Sequence, residues 1–318
     1  MSTTQLDYAL VDVFAERALE GNMLAIFTDA RGLDSTQMQA LARETNLAET
    51  TFILPADDPA EEALSGVRVR IFTTEEELPF AGHPSLGTAA WLYWNHPLLK
   101  GAETITLQLN VGPIQVRFRS AEAGPEAGQE AGQGTGQEPL SGVFGTMRQN
   151  DPVFGQVHAP EDVARVLDLR LEDLDPEFPI QTVSTGMPFC IVPLRSLDAM
   201  SRLAIPQARA RVWLAQSDAK FFFCIVRADV GSGADFHTRM QFYNGEDPAT
   251  GSASGCAIAW LVRHGLVPSG RPTIFEQGLE IRRPSRLHVQ AAFSDGKIND
   301  VFVGGRTIPV ASGRFFLP

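Results

Sequence analysis

The chain has 318 residues, 44% of them hydrophobic and 20% charged, which suits a soluble globular protein long enough for two domains, each burying its own core. A formal net charge of −12 excludes nucleic acid or an anionic membrane as the main partner, because both demand clustered Lys and Arg, and leaves a small molecule as the expected one. No charged-then-apolar leader opens the sequence and no apolar run approaches the ~18 residues that span a bilayer, so a cytoplasmic protein is expected.

In chain order, residues 8–14 read as a strand, followed by the Gly21-Asn22 turn and a second strand over 24–27, a hairpin-like start. A helix capped by Asp34 or Ser35 is predicted up to about Thr45, with Met38, Leu41 and Ala42 at helical spacing. Residues 50–55 form the next predicted strand, with Glu49 just before it, and residues 67–72 another. From Pro84 to Asn95 apolar residues fall around nearly the whole circumference of a helix, and residues 251–264 repeat this. Two such buried helices among many short strands suggest two lobes, each wrapping strands around one central helix. Residues 121–139, with Glu-Ala-Gly recurring at Glu122, Glu126 and Glu130, carry too much glycine to bury a core and read as a linker or hairpin-loop insertion. The predicted organisation is an N-terminal lobe over 1–120, the low-complexity segment over 121–139, and a C-terminal lobe over 140–318 whose last strand can return to the first lobe.

An internal echo supports duplication. Pro84-Ser85-Leu86-Gly87-Thr88-Ala89 and Pro248-Ala249-Thr250-Gly251-Ser252-Ala253 share Pro-x-x-Gly-[Ser/Thr]-Ala, with Pro248 and Gly251 each 164 positions beyond Pro84 and Gly87. This pairing puts His83 and Asp247 at matched positions, each before a proline that can open a helix. If the helix N-termini converge on one cleft, their unpaired N–H groups and dipoles would suit a carboxylate-bearing ligand. A hydrogen-bonded loop histidine and a plain N-cap aspartate stay open as alternatives. Glu49 is the third candidate. Beside an apolar strand a glutamate can be desolvated and hold a proton near neutral pH, although a solvated strand-end residue is the plainer reading. Glu75-Glu76-Glu77 reads as a solvated acidic turn. Gly251-Ser252-Ala253-Ser254-Gly255 has alanine where a nucleophile elbow needs serine, and no P-loop is present. Cys190, Cys224 and Cys256 are widely spaced and expected to be buried free thiols, and no Cys or His pair has zinc-ligand spacing.

Taken in order, Asp12-Val13-Phe14 with Gly21-Asn22, then 46–52 (Asn-Leu-Ala-Glu-Thr-Thr-Phe), 78–84 (Leu-Pro-Phe-Ala-Gly-His-Pro), 246–253 (Glu-Asp-Pro-Ala-Thr-Gly-Ser-Ala) and Glu276-Gln277-Gly278 with Arg283-Pro284-Ser285 closely resemble the phenazine-biosynthesis PhzF-like isomerase family over nearly the whole chain. The resemblance implies an α+β diaminopimelate-epimerase-like fold of two pseudo-symmetric lobes, each a strand-rich open barrel around a central helix, with the active site between them. It implies Glu49 as the proton-shuttling acid/base with His83 and Asp247 as polar partners. Gly82 and Ser252 are implied to line the site near the helix N-termini, and Gly251 joins them in the substrate-binding set. Asn22 falls in the Gly-Asn motif where related epimerases contact substrate, while Met23 departs from the proline that commonly follows. No cysteine stands where the epimerase relatives carry their facing thiols, so a two-thiol racemase is not expected. The implied activity is a cofactor-independent isomerisation of a small carboxylated substrate such as dihydro-hydroxyanthranilate, in a homodimer. An epimerase or lyase reaction in the same cleft, or a non-catalytic binding protein, are the alternatives, since one fold hosts several functions.

Overall fold

The computed structural model describes residues 4–119, 142–243 and 245–317; the expected linker at 121–139 lies outside the described residues. The opening strand Thr4–Val13 turns back into Asn22–Phe27, with Val13 paired to Asn22. The turn depends on Gly21, which sits at φ +69°, where a Cβ would fall 2.4 Å from the Val13 carbonyl oxygen. Helix Ser35–Thr45 is capped by Asp34, whose carboxylate accepts from the Gln37 N–H while Gln37 Oε1 accepts from the Asp34 N–H. It buries Met38, Leu41 and Ala42 and ends at Asn46 in the left-handed conformation. Strand Thr50–Leu54 then pairs parallel to Asn22–Phe27 and antiparallel to Val67–Phe72, which places Glu49 at the end of the sheet where helix Gly82–Asn95 begins.

In the first lobe eight strands form a ring that closes on itself. Thr4–Val13, Asn22–Phe27, Thr50–Leu54, Val67–Phe72, Thr104–Leu109, Gly112–Phe118 and Val143–Arg148 lead to the long last strand Lys297–Leu317, which pairs back with Thr4–Val13. The expected return of the last strand to the first lobe closes this ring and covers its edge. Val143–Arg148, placed by sequence in the second lobe, belongs to this ring through its pairing with Gly112–Phe118. The second lobe continues from the same last strand through Ser285–Ser294, Thr273–Gln277, Phe236–Arg239, Phe221–Arg227, Pro188–Pro193 and Gln181–Ser184 to an edge at Val153–Val157. Each lobe encloses one helix, Gly82–Asn95 or Gly251–Arg263, buried along most of its length. One continuous apolar core joins the two, running from Val11 and Leu86 to Trp260 and Val303.

The duplication is real, but its register is not the one that the Pro-x-x-Gly echo suggests. The two central helices start at Gly82 and Gly251, 169 positions apart. At that spacing Arg70 matches Arg239 and Glu77 matches Glu246, and both pairs form the same two-pronged ion pair. Arg70 reaches Glu77 at 2.7 and 2.6 Å, and Arg239 reaches Glu246 at 2.7 and 2.6 Å. Ser85 and Ser254 likewise match, each donating its hydroxyl to the carbonyl of the N-cap residue, Ala81 or Thr250. Pro84 therefore lies inside the first turn of its helix, whereas Pro248 precedes the second helix by three residues. His83 and Asp247 are not equivalent positions: His83 matches Ser252, and Asp247 matches Leu78.

The two ion pairs differ in burial, with side-chain exposures of 17% and 25% for Arg70 and Glu77 but 6% and 9% for Arg239 and Glu246. Removing one partner of a buried pair strands the other charge away from water. Glu246→Ala is therefore expected to lower the unfolding free energy by about 3 kcal/mol, against about 1 kcal/mol for Glu77→Ala at the more solvated copy. Denaturant unfolding of both variants checks this, and equal losses would contradict it.

Candidate active site

Both central helices begin without a side-chain cap, so their first-turn amides are left for another partner. They begin beside each other: a Cβ on Gly82 would lie 3.5 Å from the Ser252 backbone nitrogen and 3.7 Å from the Gly251 Cα. Above this junction opens a hollow of about 880 Å³, mouth included, lined by Glu49, Gly82, His83, Asp247, Gly251 and Ser252 among others. Six of the seven residues singled out from the sequence thus share one cavity.

Asn22, the seventh, does not line it. Its side chain is buried behind the wall, donating to Asp247 Oδ1 at 2.7 Å and to the Ala249 carbonyl at 3.0 Å, with His83 Nδ1 3.3 Å away. These contacts make a bridge between lobes, in which one amide orients the other lobe's carboxylate. The bridge is itself held in place. Arg283 donates to the Gly21 and Glu20 carbonyls and pairs with Asp12 Oδ1 at 2.6 Å, fixing the turn that carries Asn22. On the other side Gln277 donates to the Asp247 carbonyl and to Thr250 Oγ1 and accepts from the Thr250 N–H, while Thr250 donates to Asp247 Oδ2. Gln277 and Arg283 stood in motifs noticed only as resemblance. Their contacts span 30 and 262 positions along the chain, so no local pattern could assign them.

The ionisable groups are tuned against their usual states. Burial pushes the Glu49 carboxyl up to about 8, reinforced by the negative charge of Asp247. Burial also raises Asp247, to about 6, against the hydrogen bonds from Thr250 and Asn22 that favour its anion. For His83 burial acts in the other direction and holds the ring down at about 3, only partly opposed by the Met23 carbonyl. At neutral pH the site therefore contains a protonated Glu49 facing a neutral imidazole. Glu49 Oε2 stands 3.7 Å from His83 Nε2, a buried ring nitrogen with no hydrogen-bond partner. Asn22 spends both amide hydrogens on Asp247 and Ala249, and the Met23 carbonyl favours a hydrogen on His83 Nδ1, so Nε2 keeps its lone pair toward Glu49.

The cysteines stand apart from this chemistry. All three are buried free thiols outside the cavity lining, and burial lifts Cys256 to about 11 beside Thr185. The acidic turn is solvated at Glu75 and Glu76, as expected, while Glu76 also borders the cavity and Glu77 is engaged by Arg70. Lys220, Phe221, Phe242 and Tyr243 form the far wall, which no motif announced.

The raised carboxyl carries a stability signature. Between about 4.5 and about 8 the folded protein holds a proton on Glu49 that the unfolded chain releases, so this group makes the fold less stable as pH rises through that window. Glu49→Gln removes the penalty. Its melting temperature is expected to match the parent's at pH 4 to 5 and to exceed it increasingly up to pH 9; a constant difference across that range would contradict the assignment.

Comparison with known proteins agrees with this architecture. The profile of the phenazine biosynthesis-like protein family matches residues 11–313. The chain is 34% identical over 321 residues to an uncharacterized isomerase of Mesorhizobium japonicum, covering 98% of this chain and 99% of that one. It is 32% identical over 317 residues to the trans-2,3-dihydro-3-hydroxyanthranilate isomerase of Pseudomonas aeruginosa, with the same coverage. Among solved structures, a PhzF-family phenazine biosynthesis protein of Bacillus anthracis superposes with a TM-score of 0.83 at 25% identity, covering 98% of this chain and 99% of that one. With the family profile spanning both lobes and the helix junction between them, the chain belongs to the phenazine biosynthesis-like family of PhzF isomerases.

Proposed function

We propose that this isomerase moves a proton within a small, carboxylated, unsaturated ring, with Glu49 as the group that takes and returns it. The observation that supports the reading is the pairing of a carboxyl raised to about 8 with a neutral, unpartnered imidazole nitrogen 3.7 Å away, above two uncapped helix N-termini.

The helix ends supply the anchor. The N–H groups at Gly82, His83, Gly251 and Ser252 and two positive dipole ends meet at one place, and a substrate carboxylate is the matching charge. Anchoring there sets the ring against Glu49. The minor ionised form of Glu49, roughly a tenth of the protein at pH 7 for a group titrating at about 8, breaks a C–H bond, and the electron pair passes into the conjugated system. The carboxylic acid so formed then donates the same proton to another ring carbon, and a double bond shifts with no net change in oxidation state. Low solvation serves both halves: it strengthens the carboxylate as a base, and it slows exchange of the held proton with water. His83 Nε2 receives the O–H of Glu49 between the two transfers, and Asp247, oriented by Asn22 and Thr250, is the polar partner for a ring amino or hydroxyl substituent. The chain's own residues complete this cycle. The position matching Glu49 in the other lobe is an aromatic, since with Phe52 paired to Arg70 and Cys224 paired to Arg239 it corresponds to Phe221. Asp247, the carboxyl which that lobe brings to the cavity, has both oxygens engaged by Asn22 and Thr250, which favours a shuttle by Glu49 alone over two-acid epimerisation.

The relative from Pseudomonas aeruginosa is named for trans-2,3-dihydro-3-hydroxyanthranilate, which is the natural test compound. Glu49→Gln is expected to lower its turnover roughly 100- to 10,000-fold with the fold intact. In heavy water the parent is expected to carry a large part of the substrate's own hydrogen to the new carbon. Full turnover by the variant, or a product fully deuterated at that carbon, would overturn the shuttle.

A further inference from the structure

The hollow that holds Glu49 continues past the reacting groups. Lys220, Phe221, Phe242 and Tyr243 form one wall of it and also one wall of a second, more open groove of about 1000 Å³ along the helix Gln207–Leu214. Where the two meet, three aromatic rings cluster. Phe242 and Tyr243 lie 5.2 Å apart between centroids, with Phe221 at 6.1 and 6.4 Å from them, and Tyr243 is 52% exposed. Such an exposed aromatic shelf at a cavity mouth is shaped to lie along an apolar or unsaturated body.

The charge at the far end differs from that around Glu49. Acidic side chains dominate the inner hollow, yet Lys220 and Arg211 both line the groove, in a protein of net charge −12. The Lys220 ammonium lies over the Phe221 ring at 5.7 Å. Asp218, the one carboxylate among the described residues on the groove, is held by the Gln156 N–H at 2.8 Å and the Thr182 hydroxyl at 2.6 Å, and Glu76 does not line it. Lys220, where the hollow and the groove meet, and Arg211, on the groove alone, are both exposed cations.

We propose that the substrate is an elongated dianion: one carboxylate at the helix ends, a body lying along Phe221, Phe242 and Tyr243, and a second anionic group at Lys220 and Arg211. This rests on the reading of the helix junction as a carboxylate site and adds to it a second subsite, which a simple ring acid leaves empty. Position 220 is then the residue that separates substrates of this chain from shorter ones.

Three probes test it by calorimetry at low ionic strength: benzoate, 4-butylbenzoate and 4-(3-carboxypropyl)benzoate, the last two differing only in the terminal carboxylate. The dicarboxylate is expected to bind about fivefold tighter than 4-butylbenzoate, as one or two solvent-exposed ion pairs allow, and to lose that gain at high salt. Arg211→Ala, outside the inner cavity, should shrink the gain and leave benzoate binding unchanged, and adding Lys220→Ala should abolish the gain, read as the affinity ratio of the matched pair within each variant; both side chains are exposed, so the fold survives their removal. Equal binding of the matched pair, or a gain that persists in the double variant, overturns the subsite while benzoate binding upholds the inner site. Failure of benzoate to bind overturns the carboxylate reading itself, and the subsite with it.

Discussion

Gly82 and Ser252 come from different lobes, and a side chain on the first would touch the backbone of the second. That contact between two helix N-termini is the constraint on which the site depends. It exists because the strand Lys297–Leu317 closes the first ring of strands and continues into the sheet of the second lobe, so neither lobe can be placed without the other. The Asn22 amide, donating across the boundary to Asp247 and Ala249, and Arg283, holding the Gly21 turn, fix the remaining freedom at the point where the chemistry lies. The junction withdraws Glu49, His83 and Asp247 from much of the solvent, and that desolvation is the leading cause of their shifted ionisation.

The duplicated frame is symmetric where it is structural and asymmetric where it is chemical. Arg70 and Arg239, Glu77 and Glu246, and Ser85 and Ser254 keep the same contacts in both lobes. At the cavity the matched positions diverge: Glu49 against Phe221, His83 against Ser252, Leu78 against Asp247. One wall thereby carries Glu49 and His83, the proposed proton-transfer pair, and the other carries an aromatic surface and an aspartate held by Asn22 and Thr250. A racemase needs matched chemistry on two faces; this asymmetry is what favours the proposed one-sided proton shuttle.

Much of this was legible in the sequence because it depends on local rules. The Asp34 cap, the helical spacing of Met38, Leu41 and Ala42, and the all-round apolar stretches at 84–95 and 251–264 each place an element within a few residues. The register of the duplication was misread for a physical reason. The letters that match at 164 form a contiguous block, whereas the residues that perform matched tasks, Arg, Glu, Gly and Ser at intervals of seven, five and three, are scattered among unlike neighbours. Asn22 was visible as part of a motif but its direction was not, since it points to a residue 225 positions away. The far wall at Lys220, Phe221 and Tyr243 left no trace in sequence, because exposed aromatic and basic residues are common and only their convergence gives them meaning.

The protonation of Glu49 in the resting protein is the central claim, and infrared difference spectroscopy measures it directly. Titrated against the Glu49→Gln variant, the parent should show a protonated carboxyl band at pH 7 that disappears near pH 8, with His83 neutral throughout. A Glu49 already ionised at pH 7, titrating near the ordinary value of 4.5 or paired with a protonated His83, would contradict the account.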